Sequence, residues 1–377
     1  MKKAPLESPK NFLKIFFGYV LGFLRPMQIK HQNRISGNKM KEPKAMYILA
    51  IESSCDETSA AVISTDSGLK ILSNLVASQT DIHATYGGVV PEIASRAHIE
   101  TISSITYGAL REANVTISDI GAIGVTNEPG LIGALLVGVN FAKSLAFAND
   151  IPLIPVNHVK AHVAAAYLEF AELKPPFLAL VISGGHTSIY NVKSHTDFEE
   201  IGGTRDDAAG EAFDKVGRVM GLPYPGGAAM DKLAHIGDKT AYKFPSPAMG
   251  GDNLDFSFSG IKTSVINLIH NARQKETEIN TADIAASFTA SVTAGIMAKT
   301  KSAILKTHAD KLVVAGGVAA NSHLRDGFAR LAKEMNAALY LPPISLCGDN
   351  GAMVAAQCYY EFLDGKFGGT SLNAYAN

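Results

Sequence analysis

FLALVISGGHTSIYNV, residues 177–192, is the stretch from which the fold can be read. FLALVIS is a continuous apolar run of strand length. Gly184, Gly185 and His186 make a tight turn, and TSIYNV returns as a second strand rich in β-branched and aromatic residues. The same grammar stands earlier in the chain: MYILAIE from Met46, the polar turn SSCDET, then SAAVIS. A third strand follows in LKILSNLVAS, after Asp66, Ser67 and Gly68. One unit written twice predicts a duplicated domain.

Working outward, helical periodicity covers residues 92–114 and 130–148, with a strand at 122–126 and a short strand around Ile154. Beyond the second unit lie a Gly-rich polar segment (202–227), helices at 261–273 and 284–307, and a strand at 311–317. A helix then begins near Ala320, and a last one runs from near Asp349 to Leu363. Strands alternate with helices in both halves, which sets the class as α/β. The expected organisation is an extension (1–45), a first lobe (46–157), a second lobe (158–348), and a C-terminal helix and tail (349–377) returning to the first lobe.

The chain has 377 residues, 47% apolar and 18% charged, the composition of a folded soluble protein rather than a disordered one. Cys55, Cys347 and Cys358 are too few and too scattered for a disulfide framework, so they read as free thiols. Residues 1–45 hold ten Lys/Arg against two Asp/Glu, which leaves 24 against 33 in the remainder. An acidic body does not suit broad, unaided gripping of nucleic acid, so an RNA substrate calls for local patches or partner subunits. The apolar run NFLKIFFGYVLGFLRP (11–26) is too short to span a bilayer comfortably. Three readings of it stay open: a basic targeting peptide, an interfacial anchor, or codons upstream of a start at Met46. The first places the chain in a mitochondrion or plastid; without it the expectation is cytoplasmic, with no transmembrane span.

Chemistry enters at Asn157-His158-Val159-Lys160-Ala161-His162. Asn157 is a helix N-cap, and a spacing of four puts His158 and His162 on one face, as two ligands of one metal require. Two packed or surface histidines would read the same. A zinc peptidase carries Glu directly after the first His to act as general base; here that position is Val159. Asp349, before the last helix, is either an N-cap or a third ligand. Two His and one carboxylate with open positions suit Fe(II) or a related divalent Lewis acid. The turn at Ser183-Gly184-Gly185 lets backbone N–H groups approach an anion, and Gly316-Gly317 before Asn321 could admit a purine. Carboxylates of the segment DDAAGEAFDK (206–215) could accept ribose hydroxyls, or could simply lie on a solvated helix face.

Two meanders, each followed by helices and further strands, resemble the paired RNase H-like lobes of the actin, heat-shock chaperone and sugar-kinase (ASKHA) superfamily, in which a nucleotide lies in a central cleft. The ordered strings IESSCDETSAA, YGGVVPEIASRAH, PGLIGALLVG, NHVKAH, VISGGHTS, DDAAGEAFDKVGRVMGLPYPGG, DFSFSGIKT, VAGGVAANSHLR and CGDNGAM resemble the motifs of the tRNA N6-adenosine threonylcarbamoyltransferases, closest to the bacterial and organellar branch. The resemblance runs from Met46 to the final helix.

It implies an acyltransferase that moves threonylcarbamoyl from threonylcarbamoyl-AMP to N6 of the adenosine beside the tRNA anticodon. His158, His162 and Asp349 match its metal ligands, with one divalent ion per subunit: Fe(II) first, zinc or magnesium as alternatives. Val181, Ile182, Ser183, Gly184 and Gly185 match the turn around the substrate phosphate. Asp214, Gly227, Asp231 and Asn321 match positions around its ribose and adenine, and Asp56 and Glu57 match acidic residues that handle protons. Implied partners are a paralogous scaffold subunit and a small P-loop ATPase. One position departs: where the family commonly has Gly-Pro-Gly, this chain has Glu128-Pro129-Gly130, which bears on turn geometry or on tRNA approach. The rival functions are a non-catalytic scaffold paralogue, expected to lack the His pair, a metallopeptidase, which Val159 disfavours, and a sugar kinase, which needs no His pair.

Overall fold

The computed structural model describes residues 45–376, so the readings placed on the N-terminal extension lie outside the described residues. Strands β1 (Tyr47–Glu52), β2 (Glu57–Ser64) and β3 (Lys70–Ser78) form an antiparallel meander. β4 (Ile120–Glu128) and β5 (Leu153–Asn157) join in parallel on the far side of β1, giving the order β3-β2-β1-β4-β5. The second half repeats the pattern with β6 (Phe177–Ile182), β7 (Thr187–Val192), β8 (Phe198–Gly203), β9 (Lys311–Ala315) and β10 (Ala338–Tyr340). Its order, β8-β7-β6-β9-β10, matches the first sheet strand for strand, with the same parallel and antiparallel senses. The α/β class and the duplication are therefore both present. In each sheet the central strand, β1 or β6, is buried almost throughout, which is why each reads as an unbroken apolar run.

Among the described residues ten α-helices surround the sheets: α1 (Thr80–Ala84), α2 (Pro91–Glu112), α3 (Ile132–Asn149), α4 (His158–Glu169), α5 (Ala209–Val219), α6 (Gly226–Ala234), α7 (Ser259–Gln274), α8 (Thr281–Thr307), α9 (Ser322–Met335) and α10 (Gly351–Leu363). Two of them lie between the sheets. In α4, Ala161 and Ala165 pack with Ile48, Ala50 and the α10 residues Ala352 and Ala355, while Val159 and Val163 pack with Phe177, Ala179 and Val181 of β6. Alanine-rich faces allow both helices a close approach, so the order through the molecule is first sheet, α10, α4, second sheet. On the outer face of the first sheet, α3 buries Leu135, Val139, Ala142 and Ala146 against Leu49, Ile51 and Val62. Its 18 residues are long and apolar enough to cross a membrane by composition, but that face is core.

The Gly-rich polar segment 202–227 contains α5, and this helix is more than a solvated face. Ala209, Ala212, Phe213 and Val216 form a buried stripe at spacings of three and four. Glu211, Asp214 and Lys215 interrupt that stripe in the linear sequence and hide it.

Candidate functional site

Helix α4 begins where Asn157 Oδ1 accepts the N–H groups of Val159 (3.0 Å) and Lys160 (3.1 Å), the cap expected from the sequence. The start fixed in this way places His158 and His162 edge to face, with ring centroids 4.6 Å apart. Asp349 reaches them from the turn before α10, its Oδ1 lying 3.5 Å from His158 Nε2 and 3.2 Å from His162 Nε2. Of the two sequence readings of Asp349, the capping role belongs to its neighbour: Asn350 Oδ1 accepts the Met353 N–H at 3.0 Å. The Asp349 carboxylate is thereby left to face the histidines. Gly351 lets this happen, since a Cβ there would stand 2.6 Å from the Ala61 backbone nitrogen on β2. Any larger residue would lift the first turn of α10, and Asp349 with it, off the sheet.

Glu52, fully buried at the end of β1, braces the cluster from behind. Its Oε1 accepts the Ser54 N–H (2.6 Å), and its Oε2 accepts the Thr126 hydroxyl (2.7 Å) and the His158 Nδ1–H (3.1 Å). With Nδ1–H committed to Glu52, Nε2 is the ring nitrogen aimed at Asp349, the arrangement of a metal-ligating histidine oriented by a carboxylate once the Nε2 proton has left. Burial opposes every charge here, but the ion pairs outweigh it. His158 is raised to about 9 by Asp349 and Glu52 against that desolvation, and Asp349 is held well below the usual carboxylate range by His158 and His162. His162 Nδ1 is buried with no partner, and Nε2, also buried, has only the 3.2 Å approach to Asp349. Leaving a buried polar atom unpaired costs about 1–3 kcal/mol. A divalent transition-metal ion bound by two imidazoles and a carboxylate would satisfy the His162 nitrogen that faces Asp349, so the residues present fit such an ion.

Across from this cluster, the turn after β6 is closed by Ser183 N–H donating to His186 O (2.7 Å) and by His186 N–H donating to Ser183 Oγ (3.0 Å). Nothing stands within 4 Å of a Cβ placed on Gly184 or Gly185, so their backbone is open to a ligand. Val181 and Ile182 are fully buried in β6, which limits their contribution to main-chain groups. The His186 ring lies 6.2 Å from that of His158, and burial, with the neighbouring imidazoles, depresses it to about 4. Sequence reading missed His186 and Glu52 as site residues. The available signals were an imidazole inside a glycine turn and a carboxylate at the end of an otherwise apolar strand.

The remaining sequence-nominated residues line the second lobe, and three of them hold helix starts. Asp214 Oδ1 accepts the N–H groups of Gly226 (2.8 Å) and Gly227 (3.3 Å) at the head of α6. Asn321 caps α9 by accepting the Leu324 N–H at 3.0 Å, and Asp231 accepts the Ser322 N–H, the Ser322 hydroxyl and His323 Nδ1–H. Gly227 has only Phe213 Cβ near its Cβ direction, at 3.9 Å. Gly316, at φ +95°, occupies the left-handed region, and a Cβ on it would meet Ile182 O at 2.4 Å.

On the first lobe, Asp56 and Glu57 share a hydrogen bond in the β1–β2 turn, and burial, then Asp349 and Asp56, push Glu57 up to about 10. Asp56 also acts electrostatically on Tyr224 and Asp214, so it faces the second lobe. His98 holds this turn: Nε2–H donates to Cys55 O (3.0 Å), which leaves Nδ1 to accept from the Thr58 hydroxyl (2.7 Å). Glu128 turns inward, its Oε1 accepting Asn157 Nδ2 at 3.4 Å, so its side chain meets the start of α4.

The family model described as tRNA N6-adenosine threonylcarbamoyltransferase matches residues 70–356. A protein of that name from Clostridium botulinum (strain 657 / Type Ba4) is 52% identical over 338 residues, covering 90% of this chain and 98% of its own length. One from Clostridium novyi (strain NT) is 51% identical over 335 residues, covering 89% and 98%. Among solved structures, full-length HypF in its phosphate- and nucleotide-bound form superposes with a TM-score of 0.55 at 15% identity, over 84% of this chain and 46% of that one. HypF of T. kodakarensis gives 0.57 at 13% identity, over 87% and 49%. At those identities the likeness is one of fold, the two-lobed α/β architecture of the ASKHA class.

Proposed function

The chain belongs to the tRNA N6-adenosine threonylcarbamoyltransferase family, and from that premise we propose how its cleft moves threonylcarbamoyl from threonylcarbamoyl-AMP to N6 of the adenosine beside the anticodon, in tRNAs reading codons that begin with A. A C–N bond forms at the carbamoyl carbon and the bond from that carbon to the phosphate oxygen breaks. AMP departs and N6 gives up a proton.

His158, His162 and Asp349 would hold one divalent ion, Fe(II) being the finer proposal, with zinc or magnesium as alternatives. Such an ion supplies Lewis acidity and a point of attachment for the acyl part. Backbone N–H groups of Gly184 and Gly185 receive the phosphate and stabilise the charge it gains on leaving, while Ser183, whose own N–H closes the turn on His186 O, holds the turn at the end of Val181 and Ile182. Asp214, Gly227, Asp231 and Asn321 lie around ribose and adenine; since Asp214 and Asn321 each spend one oxygen on a helix start, their remaining polar atoms face the ligand. Asp56 takes the N6 proton. Glu57, whose burial favours its neutral form, donates a hydrogen bond instead.

The observation that carries this reading is His162: two buried ring nitrogens, Nδ1 without a partner and Nε2 meeting only Asp349, within the cleft that the glycine turn faces. The acidic body supports action in a complex, with a paralogous scaffold subunit and a P-loop ATPase as the proposed partners; the cytoplasm is the proposed location. A peptidase reading gains nothing, because Val159, beside the first His, is buried and carries no base.

The test is reconstitution of the chain with threonylcarbamoyl-AMP, tRNA and the two partner subunits, scored by modified nucleoside in digested tRNA. Modification that depends on this chain is expected. Protein cleavage by the purified chain, with no nucleoside formed, would sink the proposal.

A further inference from the structure

A second two-histidine, one-carboxylate cluster lies outside the cleft triad. Asp231 in α6 and His235 just beyond its end are four residues apart and share one helical face, and His323 enters as the second residue of α9. One ligand atom from each of the three lies within 4.8 Å of the others. His323 Nδ1 is 3.0 Å from Asp231 Oδ1, the His235 and His323 rings are 4.2 Å apart, and His235 Nε2 is 2.8 Å from Ser322 Oγ. Asp231 cannot swing away, because the Ser322 N–H and hydroxyl both donate to it. Those two contacts are the outer-shell bracing that a metal-binding carboxylate needs.

We propose that Asp231, His235 and His323 form a second metal site, for an exchangeable divalent transition ion of the zinc class, on the rim of the second lobe. Two imidazole nitrogens and one carboxylate oxygen select zinc, nickel or copper over magnesium or calcium, which require oxygen ligands. Side-chain exposures of 28% for His323 and 21% for Asp231, with His235 exposed, leave the other coordination positions to water. Binding through Nδ1 uses the His323 tautomer with its proton on Nε2, and moves His235 off Ser322 Oγ. Asp231 is also one of the residues assigned above to the substrate, so the consequence, which rests on that reading, is competition between zinc at the rim and the nucleotide.

The experiment titrates the untagged full chain, stripped of metal, with zinc chloride, followed calorimetrically and by metal analysis. Two equivalents are expected in the wild type, the tighter lost in Asp349→Ala and the weaker lowered by about tenfold or more in His235→Ala and His323→Asn. A titration curve that neither histidine substitution changes overturns the site. His235 is exposed and has no part in the machinery above, so His235→Ala separates ligation from folding. With AMP as probe, zinc beyond the first equivalent should weaken AMP binding to the wild type and leave binding to His235→Ala unchanged. Equal weakening in both overturns the competition. If AMP binds neither protein, the substrate reading of the second lobe fails, and the zinc equivalents still decide the site.

Discussion

The cleft triad and the rim triad use the same three donors but keep them in opposite states. In the cleft the two imidazoles, His158 and His162, are buried, Asp349 is partly so, and His162 Nδ1 has no hydrogen-bond partner. At Asp231, His235 and His323 they are half-exposed and already hydrogen-bonded to Ser322 and to one another. Donor identity is therefore a poor guide to affinity. What separates the two is whether the protein has other ways of satisfying the donors: the rim imidazoles have hydrogen-bond partners within the protein, and His162 does not.

The sharpest way to break this contrast is Asp349→Ala. Removal of a ligand used in catalysis is expected to cost about 3–4 kcal/mol of transition-state stabilisation, hence about 10^2–10^3-fold in turnover of the reconstituted system. The loss of any rim ligand except Asp231 should leave turnover in zinc-free buffer within about twofold. Equal losses from Asp349→Ala and His235→Ala would erase the distinction.

Glu52→Gln comes next. It keeps the shape behind His158 but removes the charge that orients Nδ1–H, so metal affinity at the cleft should fall by about 10–100-fold, measured by competition with a chelator, while rim affinity stays put.

The third effect follows pH. In the metal-free protein His158 is raised to about 9, so it carries a proton at neutral pH that must leave before Nε2 can ligate. Cleft affinity should therefore rise by about tenfold per pH unit up to about 9 and then level off, with one proton released per ion bound, read from calorimetry in buffers of different ionisation enthalpy. A flat profile would mean that His158 is neutral before the ion arrives.

The smallest effect belongs to Glu128→Gly, which removes a long hydrogen bond to the cap of α4. Cleft affinity should change by less than about fivefold, consistent with a contact worth about 0.5–1 kcal/mol.

Much of this was legible in the sequence, for physical reasons that vary by region. β1 and β6 are covered on both faces, so they appear as unbroken apolar runs, and the His158–His162 spacing declares a shared helical face without any tertiary information. β8 was not placed: it is an edge strand whose Glu199 and Glu200 are exposed, and no apolar alternation survives in FEEIGG. Helix α5 was masked by charges between its buried positions. Asp349 and Asn350 are both good capping residues, and the contest between them is decided by how closely Gly351 seats on β2. The bracing of His158 by Glu52 spans 106 residues of chain and has no local signature at all.

The layer order described for the fold has a kinematic consequence. His158 and His162 stand at the head of α4, Asp349 stands at the head of α10, and these two helices pack on each other between the sheets. The glycine turn after β6 and the acidic turn after β1 continue the central strands of the two sheets instead. Rigid-body rotation of one sheet against the other would then open or close the distance between those turns about a nearly stationary axle, and the three ligands sit on the axle.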